Sequence, residues 1–252
     1  MKELTVSLAQ ISVGKGDISG NVEKHCEFIR NAAEYDTDYI LFPELSLTGY
    51  ELELAESLAF TVGDERLLDI KECCITYKVN AIVGAPIKTR LGVQIGSLVI
   101  LSNGAATIYS KHFLHPGEEE FVIPGKLNPL IHDYKETIAF AICADSSKED
   151  HRMNAYENGA SVYMSSAFIT PGGYRKDTEV LQEMARQYQM TVFMANYCGE
   201  TGGLKAAGGS CAWSSTGEVI GKLENNQEAL FILKRDCDRI WRVNGVYYTT
   251  IF

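Results

Sequence analysis

Leu4, Val6 and Leu8 alternate with Thr5, Ser7 and Ala9, a period of two that predicts a strand at the start of the chain. Beyond a turn spanning Gly14 to Gly20 the period lengthens, and Val22, Cys26, Ile29 and Ala33 fall on one stripe of a helix. The two periods then trade places along the sequence. A strand over Tyr39 to Phe42 is followed by a helix from about Glu65 to Lys78, with Leu67, Ile70, Cys74 and Tyr77 on one face. Three strands follow at Ala81 to Ile87, Gln94 to Ser102 and Ala105 to Ser110, parted by turns at Gly92 and Gly104. His112 to Gly125 shows no period and reads as a loop. Ile138 to Ile142 is a short apolar run of the buried-strand kind, succeeded by a polar helix from about Ser147 to Asn158 that stops at Gly159. Ser161 to Phe168 and Thr191 to Tyr197 are strands on either side of a helix whose apolar face holds Leu181, Met184, Ala185 and Tyr188. Gly208 to Trp213, Glu218 to Leu223 and Ala229 to Lys234 complete the pattern as β-structure.

Strands interleaved with helices argue for an α/β fold, and about twelve strands exceed what one twisted sheet usually holds. No linker interrupts the pattern, so residues 1–252 are expected to form a single domain, and 46% hydrophobic content supports a sizeable core. A formal charge of −10 argues against a nucleic-acid surface, which calls for a clustered basic patch, and favours a small-molecule partner. Lys2 and Glu3 break the amino terminus and no apolar run approaches about 18 residues, so neither a signal peptide nor a membrane span is expected. The protein is expected to be soluble and cytoplasmic. Seven cysteines, an odd number without a CxxC pair, read as reduced thiols. Gly14, Gly16 and Gly20 match no nucleotide-binding spacing. His112 and His115 have no further ligand spaced to join them, so neither a metal nor any other cofactor is expected.

Chemistry gathers at three strand ends. Cys143 closes the Ile138 to Ile142 run, at the carboxyl edge where open α/β sheets bind ligands. Pro43 halts the strand from Tyr39 and delivers Glu44 at its exit. Lys111 closes the strand ending at Ser110. Taken singly, a cysteine usually fills core space and a glutamate or lysine after a strand is usually a solvated loop residue. Together the three supply a base, an electrostatic stabiliser and a nucleophile, the requirements of covalent catalysis.

These residues resemble the signature blocks of the nitrilase superfamily of carbon-nitrogen hydrolases. The blocks are Phe42-Pro43-Glu44-Leu45 with Gly49-Tyr50, Lys111-His112-Phe113-Leu114 leading to Pro124-Gly125, and Ile142-Cys143-Ala144-Asp145. The likeness extends to Ala9-Gln10, Gly16-Asp17-Ile18 with Asn21, Ala195-Asn196 and Gly209-Ser210, and so covers nearly the whole chain. It implies a four-layer α-β-β-α sandwich of two packed sheets, and a Glu44, Lys111, Cys143 triad that hydrolyses a small linear amide through a thioester. An accessory glutamate that holds Lys111 is also implied, with Glu118 favoured by its distance from Pro124 and Glu120 as the alternative. Lys111 and the backbone N–H of Ala144 would hold the oxyanion, and Tyr50, Phe168 and Tyr174 would wall the pocket.

Many relatives follow the cysteine block with an arginine and an aromatic residue, whereas Ser146, Ser147 and Lys148 stand here, so a carboxylate clamp is not inferred at that point. Arg175 or Lys176 could take its place but read more simply as surface residues. Hydrolysis of a nitrile or N-carbamoyl compound by the same triad, and a non-enzymatic scaffold that keeps the fold, are the alternatives. Lys111 is expected to lower the Cys143 pKa, making it the first thiol to react near pH 6, with Glu44 opposing the effect. The aromatic tail, Trp241-Arg242-Val243, Tyr247-Tyr248 and Ile251-Phe252, is expected to dock on a second copy to give at least a homodimer, with packing on its own subunit as the alternative.

Overall fold

The computed structural model describes residues 3–126, 128–133, 136–224 and 226–249. Strand β1 (Leu4–Gln10) leads into helix α1 (Ile18–Ala33), β2 (Tyr39–Leu41), the short α2 (Ala55–Leu58) and α3 (Leu68–Tyr77). A run of strands follows, β3 (Asn80–Lys88), β4 (Val93–Ile100), β5 (Ala106–Ser110), β6 (Ile131–Asp133) and β7 (Glu136–Ile142). Then come α4 (Glu149–Glu157), β8 (Val162–Ala167), α5 (Pro171–Tyr188) and β9 (Thr191–Asn196). The chain closes with the ribbon β10 (Glu200–Thr201) and β11 (Leu204–Lys205), then β12 (Cys211–Trp213), β13 (Val219–Lys222), β14 (Ala229–Arg235) and β15 (Trp241–Tyr248).

Two sheets result, ordered β15-β14-β1-β2-β3-β4-β5 and β13-β12-β9-β8-β7-β6. Each has a parallel centre, β1-β2-β3 in the first and β7-β8-β9 in the second, extended by antiparallel strands. Alternation along each strand divides the core into layers. Leu4, Val6 and Leu8 of β1 share one apolar cluster with Ile138, Phe140 and Ile142 of β7 between the sheets. Ile40 and Val83 turn the other way, onto Phe28, Ile29, Ile70 and Cys74 of α1 and α3. Ala139, Ala141 and Tyr163 likewise meet Leu181, Met184 and Ala185 of α5. The fold is a four-layer α-β-β-α sandwich, and no helix among the described residues is long and apolar enough to cross a membrane.

The short α2, β6, β10 and β11 are additions to the periodicity, and two further elements differ from it. The helix expected from Ser147 starts only at Glu149, because Cys143–Ser147 forms a 3-10 turn first. The aromatic tail is an edge strand of its own sheet, with β15 antiparallel to β14 and Trp241 packed edge-on to Phe193 at 4.9 Å. Val243, Val246, Tyr247 and Tyr248 are exposed along it, and Ile251 and Phe252 lie outside the described residues.

Gly84 on β3 fixes where the loop after β2 can run. A Cβ there would stand 2.4 Å from both Pro43 O and Leu45 N, backbone atoms that cannot swing aside as a side chain would. Leu47 donates back to Gly84 O at 2.9 Å, and Gly84 N–H donates to Ser46 Oγ at 3.1 Å, so the loop lies flat on the glycine. Gly84→Ala should therefore cost at least about 1–3 kcal/mol in urea unfolding, the range for overpacking a tight site, and parental stability would contradict this packing.

Candidate active site

Each candidate side chain leaves a strand end that its neighbours hold. Glu44 follows Pro43 at the exit of β2, and the loop turns sharply through Leu45 at φ +53°. Helix α1 buttresses it from behind: His25 Nδ1 donates to Asn21 O at 2.6 Å, which leaves Nε2 to accept the Ser46 hydroxyl at 2.9 Å. Lys111 leaves β5 with its N–H on Ile95 O at 2.9 Å and its carbonyl accepting from Gly125 N at 2.7 Å. Gly125 has to be glycine for this approach, since a Cβ there would lie 2.1 Å from that of Ser110.

Cys143 ends β7 at φ +45°, in the left-handed region that a residue with a Cβ occupies at a cost of about 1–3 kcal/mol. Asp145 offsets that cost. Its Oδ2 accepts from Ile142 N at 3.0 Å and from the Tyr109 hydroxyl at 2.5 Å, while Oδ1 accepts from His112 N at 3.0 Å and Phe113 N at 2.9 Å. One buried carboxylate thus ties the cysteine's turn to the segment that follows Lys111.

The structure brings Glu44, Lys111 and Glu118 into direct contact. Lys111 Nζ is 2.6 Å from Glu44 Oε1 and 2.7 Å from Glu118 Oε1, with Glu44 and Lys111 at 0% exposure and Glu118 at 2%. Glu118 accepts two further bonds, from the Tyr50 hydroxyl at 2.5 Å and from His115 N at 2.8 Å. Glu120 is exposed. Glu44 Oε2 is buried and has no partner among the described residues.

Burial sets the ionisation of the cluster, and pairing corrects it. Burial raises the Glu44 pKa to about 7 despite Lys111, with Glu118 adding to the rise. For Lys111, burial works against the charge but the carboxylates outweigh it, and the pKa lies above the ordinary lysine value. Cys143 departs from the expectation of an activated resting thiol. Burial raises its pKa, Glu44 raises it further, and Lys111 opposes both without reversing them. The cysteine therefore rests as a thiol whose proton needs an acceptor.

A cavity of about 220 Å³ opens at Cys143. Ala144, Ser165, Ile169, His115, Lys176 and Asp177 are among the residues that line it. Of the three residues expected as pocket walls, none lines this cavity. The rings of Tyr50 and Phe168 pack on each other at a tilt with centroids 4.9 Å apart, where Tyr50 meets Glu118 and the Phe168 carbonyl lies 3.8 Å from Cys143 Sγ. Tyr174 is held away because its hydroxyl donates to Gly209 O at 2.5 Å and its ring lies against Gly209, lining a separate depression with Lys222. Sequence reasoning missed the bracing role of Asp145 and the contribution of α5 to the cavity. Asp145 stood within the cysteine block as a signal, and Lys176 was read as a surface residue. Arg175 pairs with Glu179 on the surface.

The family model described as carbon-nitrogen hydrolase matches residues 5–243. Among curated proteins, the glutamine-dependent NAD(+) synthetase of Thermotoga maritima is 27% identical over 98% of this chain, which spans only 44% of that protein's length. An (R)-stereoselective amidase from Pseudomonas sp. is 24% identical over 94% of the chain and 86% of its own length. Among solved structures, an amidase from Nesterenkonia sp. AN1 superposes with a TM-score of 0.84 at 19% identity, over 91% of this chain and 90% of that one.

The charges around Cys143 predict opposite effects on its alkylation. Each unit of thiol pKa is about a tenfold change in thiolate below the pKa. Glu44→Gln removes a charge that raises the pKa and should speed iodoacetamide labelling of Cys143 severalfold at fixed pH, whereas Lys111→Met should slow it. At pH 6 the exposed Cys237 should label before Cys143 in the parent, as read by peptide mapping. Cys143 labelling first at that pH would contradict the raised pKa.

Proposed function

The chain belongs to the carbon-nitrogen hydrolases, and from that premise we propose that it hydrolyses a small linear amide through a thioester on Cys143. The observation that carries this reading is the buried Lys111 bridging Glu44 and Glu118 while Glu44 keeps one oxygen unpartnered. That oxygen is the base. A carboxylate with a pKa near 7 is matched to taking a proton at neutral pH and returning it, as general acid–base catalysis requires.

In the first half-reaction Glu44 takes the thiol proton as sulfur attacks the amide carbonyl carbon. The oxyanion is met by the Lys111 ammonium and by the backbone N–H of Ala144, at the start of the 3-10 turn. Collapse breaks the carbon–nitrogen bond, and Glu44 gives its proton to the departing amine. Glu44 then deprotonates a water that attacks the thioester; collapse breaks the carbon–sulfur bond and releases the acid, and Glu44 returns the proton to the sulfur to restore the thiol. Activating the cysteine only as substrate arrives is consistent with its raised resting pKa.

The small cavity supports a small acyl group. The Nesterenkonia amidase, in a variant form, carries the acetamide moiety of fluoroacetamide added covalently at its active-site cysteine, and another of its structures holds butyramide. A second reading, the side-chain amide of glutamine, is favoured by Lys176 and Asp177 at the cavity, an ammonium and a carboxylate suited to an amino-acid head group. The glutamine-dependent relative agrees with it.

Ammonia release across simple amides, glutamine, N-carbamoyl compounds and nitriles tests both readings. Simple amides should turn over, with Cys143→Ala reducing kcat by at least about a thousandfold. The kcat/KM profile should rise with pH through about 7, because Glu44 has to be unprotonated in the free enzyme. Glu118→Gln should move that limb to lower pH by removing a charge that raises the Glu44 pKa. Preference for glutamine that Lys176→Met and Asp177→Asn abolish would establish the second reading. No turnover of any compound would return the chain to a binding or scaffold role.

A further inference from the structure

A line of buried hydrogen bonds reaches the Cys143 turn from the far side of the second sheet. Tyr163 stands on β8 among the residues packed beneath α5, His151 on α4, and Tyr109 on β5 between the sheets. The Tyr163 hydroxyl lies 2.9 Å from His151 Nδ1, and His151 Nε2 lies 2.8 Å from the Tyr109 hydroxyl, itself 2.5 Å from Asp145 Oδ2. Tyr109, Tyr163 and Asp145 are fully enclosed and His151 is 3% exposed, so water does not compete for these bonds.

The donors can be assigned by elimination. The Asp145 carboxylate accepts, so Tyr109 gives it its only hydroxyl proton. The Tyr109 oxygen is then free to accept from His151 Nε2–H. With that proton on Nε2, Nδ1 carries a lone pair and accepts from Tyr163. Burial keeps the imidazole neutral by lowering its pKa to about 4, which suits a ring that donates from one nitrogen and accepts at the other. His112 packs against the same group, stacked on Tyr109 at 5.7 Å and edge-on to His151 at 5.3 Å. Bonds aligned in one direction in a dry interior reinforce one another.

We propose that His151 is a positioning residue for the Cys143 chemistry. It fixes the Tyr109 hydroxyl on Asp145, and through Asp145 it sets the strained Cys143 turn against the backbone after Lys111. The proposal rests on the reading of Cys143 as the nucleophile. His151 does not line the cavity, so its loss should leave substrate affinity alone and misplace the thiol, a displacement to which rate is sensitive.

The test uses the full chain and two readouts: kcat and KM on the best amide, and the rate at which iodoacetamide labels Cys143, which needs no substrate. His151→Leu should lower kcat at least about tenfold with KM within about twofold, and should change the labelling rate at least about threefold. His151→Gln retains a donor for the Tyr109 oxygen and should recover most of both. The losses in Tyr109→Phe and in His151→Leu should not multiply in the double variant, because both break the same bond line. Parental kcat and labelling in a folded His151→Leu would overturn the proposal, as would equal losses in the Leu and Gln variants or fully multiplying effects. Should His151→Leu fail to fold, the Gln and Tyr109→Phe variants decide by the same criteria. Turnover that survives in Cys143→Ala would remove the underlying reading instead, and a parent without turnover leaves the labelling rates to decide on His151.

Discussion

Two carboxylates and one ammonium, all shut away from water, are the constraint to which the rest of this molecule conforms. Moving any of these groups into the interior alone costs several kcal/mol, and only close pairing offsets it. Lys111 reaches both Glu44 and Glu118 at 2.6 and 2.7 Å, so its ammonium offsets the burial of either carboxylate while the two carboxylates oppose each other. Removing the lysine would leave like charges facing each other in a dry site, a loss of about 3–5 kcal/mol by analogy with other broken buried pairs. The same arrangement explains the proposed chemistry. Lys111 is held too firmly to lose its proton, while Glu44 is destabilised enough to hold one near neutral pH.

The sandwich meets this constraint with close backbone contacts as well as side-chain packing. Glu44 comes from the first sheet's parallel centre, Lys111 from its edge and Cys143 from the second sheet, so their relative placement depends on how the two sheets are seated. Gly84 and Gly125 let the loops after β2 and β5 approach closer than any side chain would permit. Asp145 ties across the sheets by gripping Ile142 N–H on one side and His112 and Phe113 N–H on the other. Apolar contacts between the sheets, Leu8 and Ile142 among them, supply the bulk attraction; these polar ties fix the registration that the chemistry needs.

Much of this was legible in the residues. Period-two and helical spacing located most of the strands and helices, and the abrupt ends at Pro43, Lys111 and Cys143 marked the strand exits that carry Glu44, Lys111 and Cys143, the first two of them in direct contact. Choosing Glu118 over Glu120 relied on the likeness to a family, and here the first is buried on Lys111 while the second faces solvent. The resting state of Cys143 was not legible, because the sign of its pKa shift depends on how much water the fold removes and on the balance between Glu44 and Lys111. Tyr174 was misplaced for a related reason. The residues offered it as a pocket wall, but only the fold reveals that Gly209 takes its hydroxyl. Asp145, which never meets the cavity, could be recognised as a brace only from its four bonds.

The central claim is that the buried cluster exists to move the proton of one thiol so that Cys143 carries the acyl group. Intact-protein mass spectrometry after acid quenching of a turning-over amide tests it most directly, with peptide mapping to place the modification. The account predicts an added acyl mass on Cys143 in the parent and none on Cys143→Ala. An acyl adduct that maps to another residue, or that persists on Cys143→Ala, would contradict it.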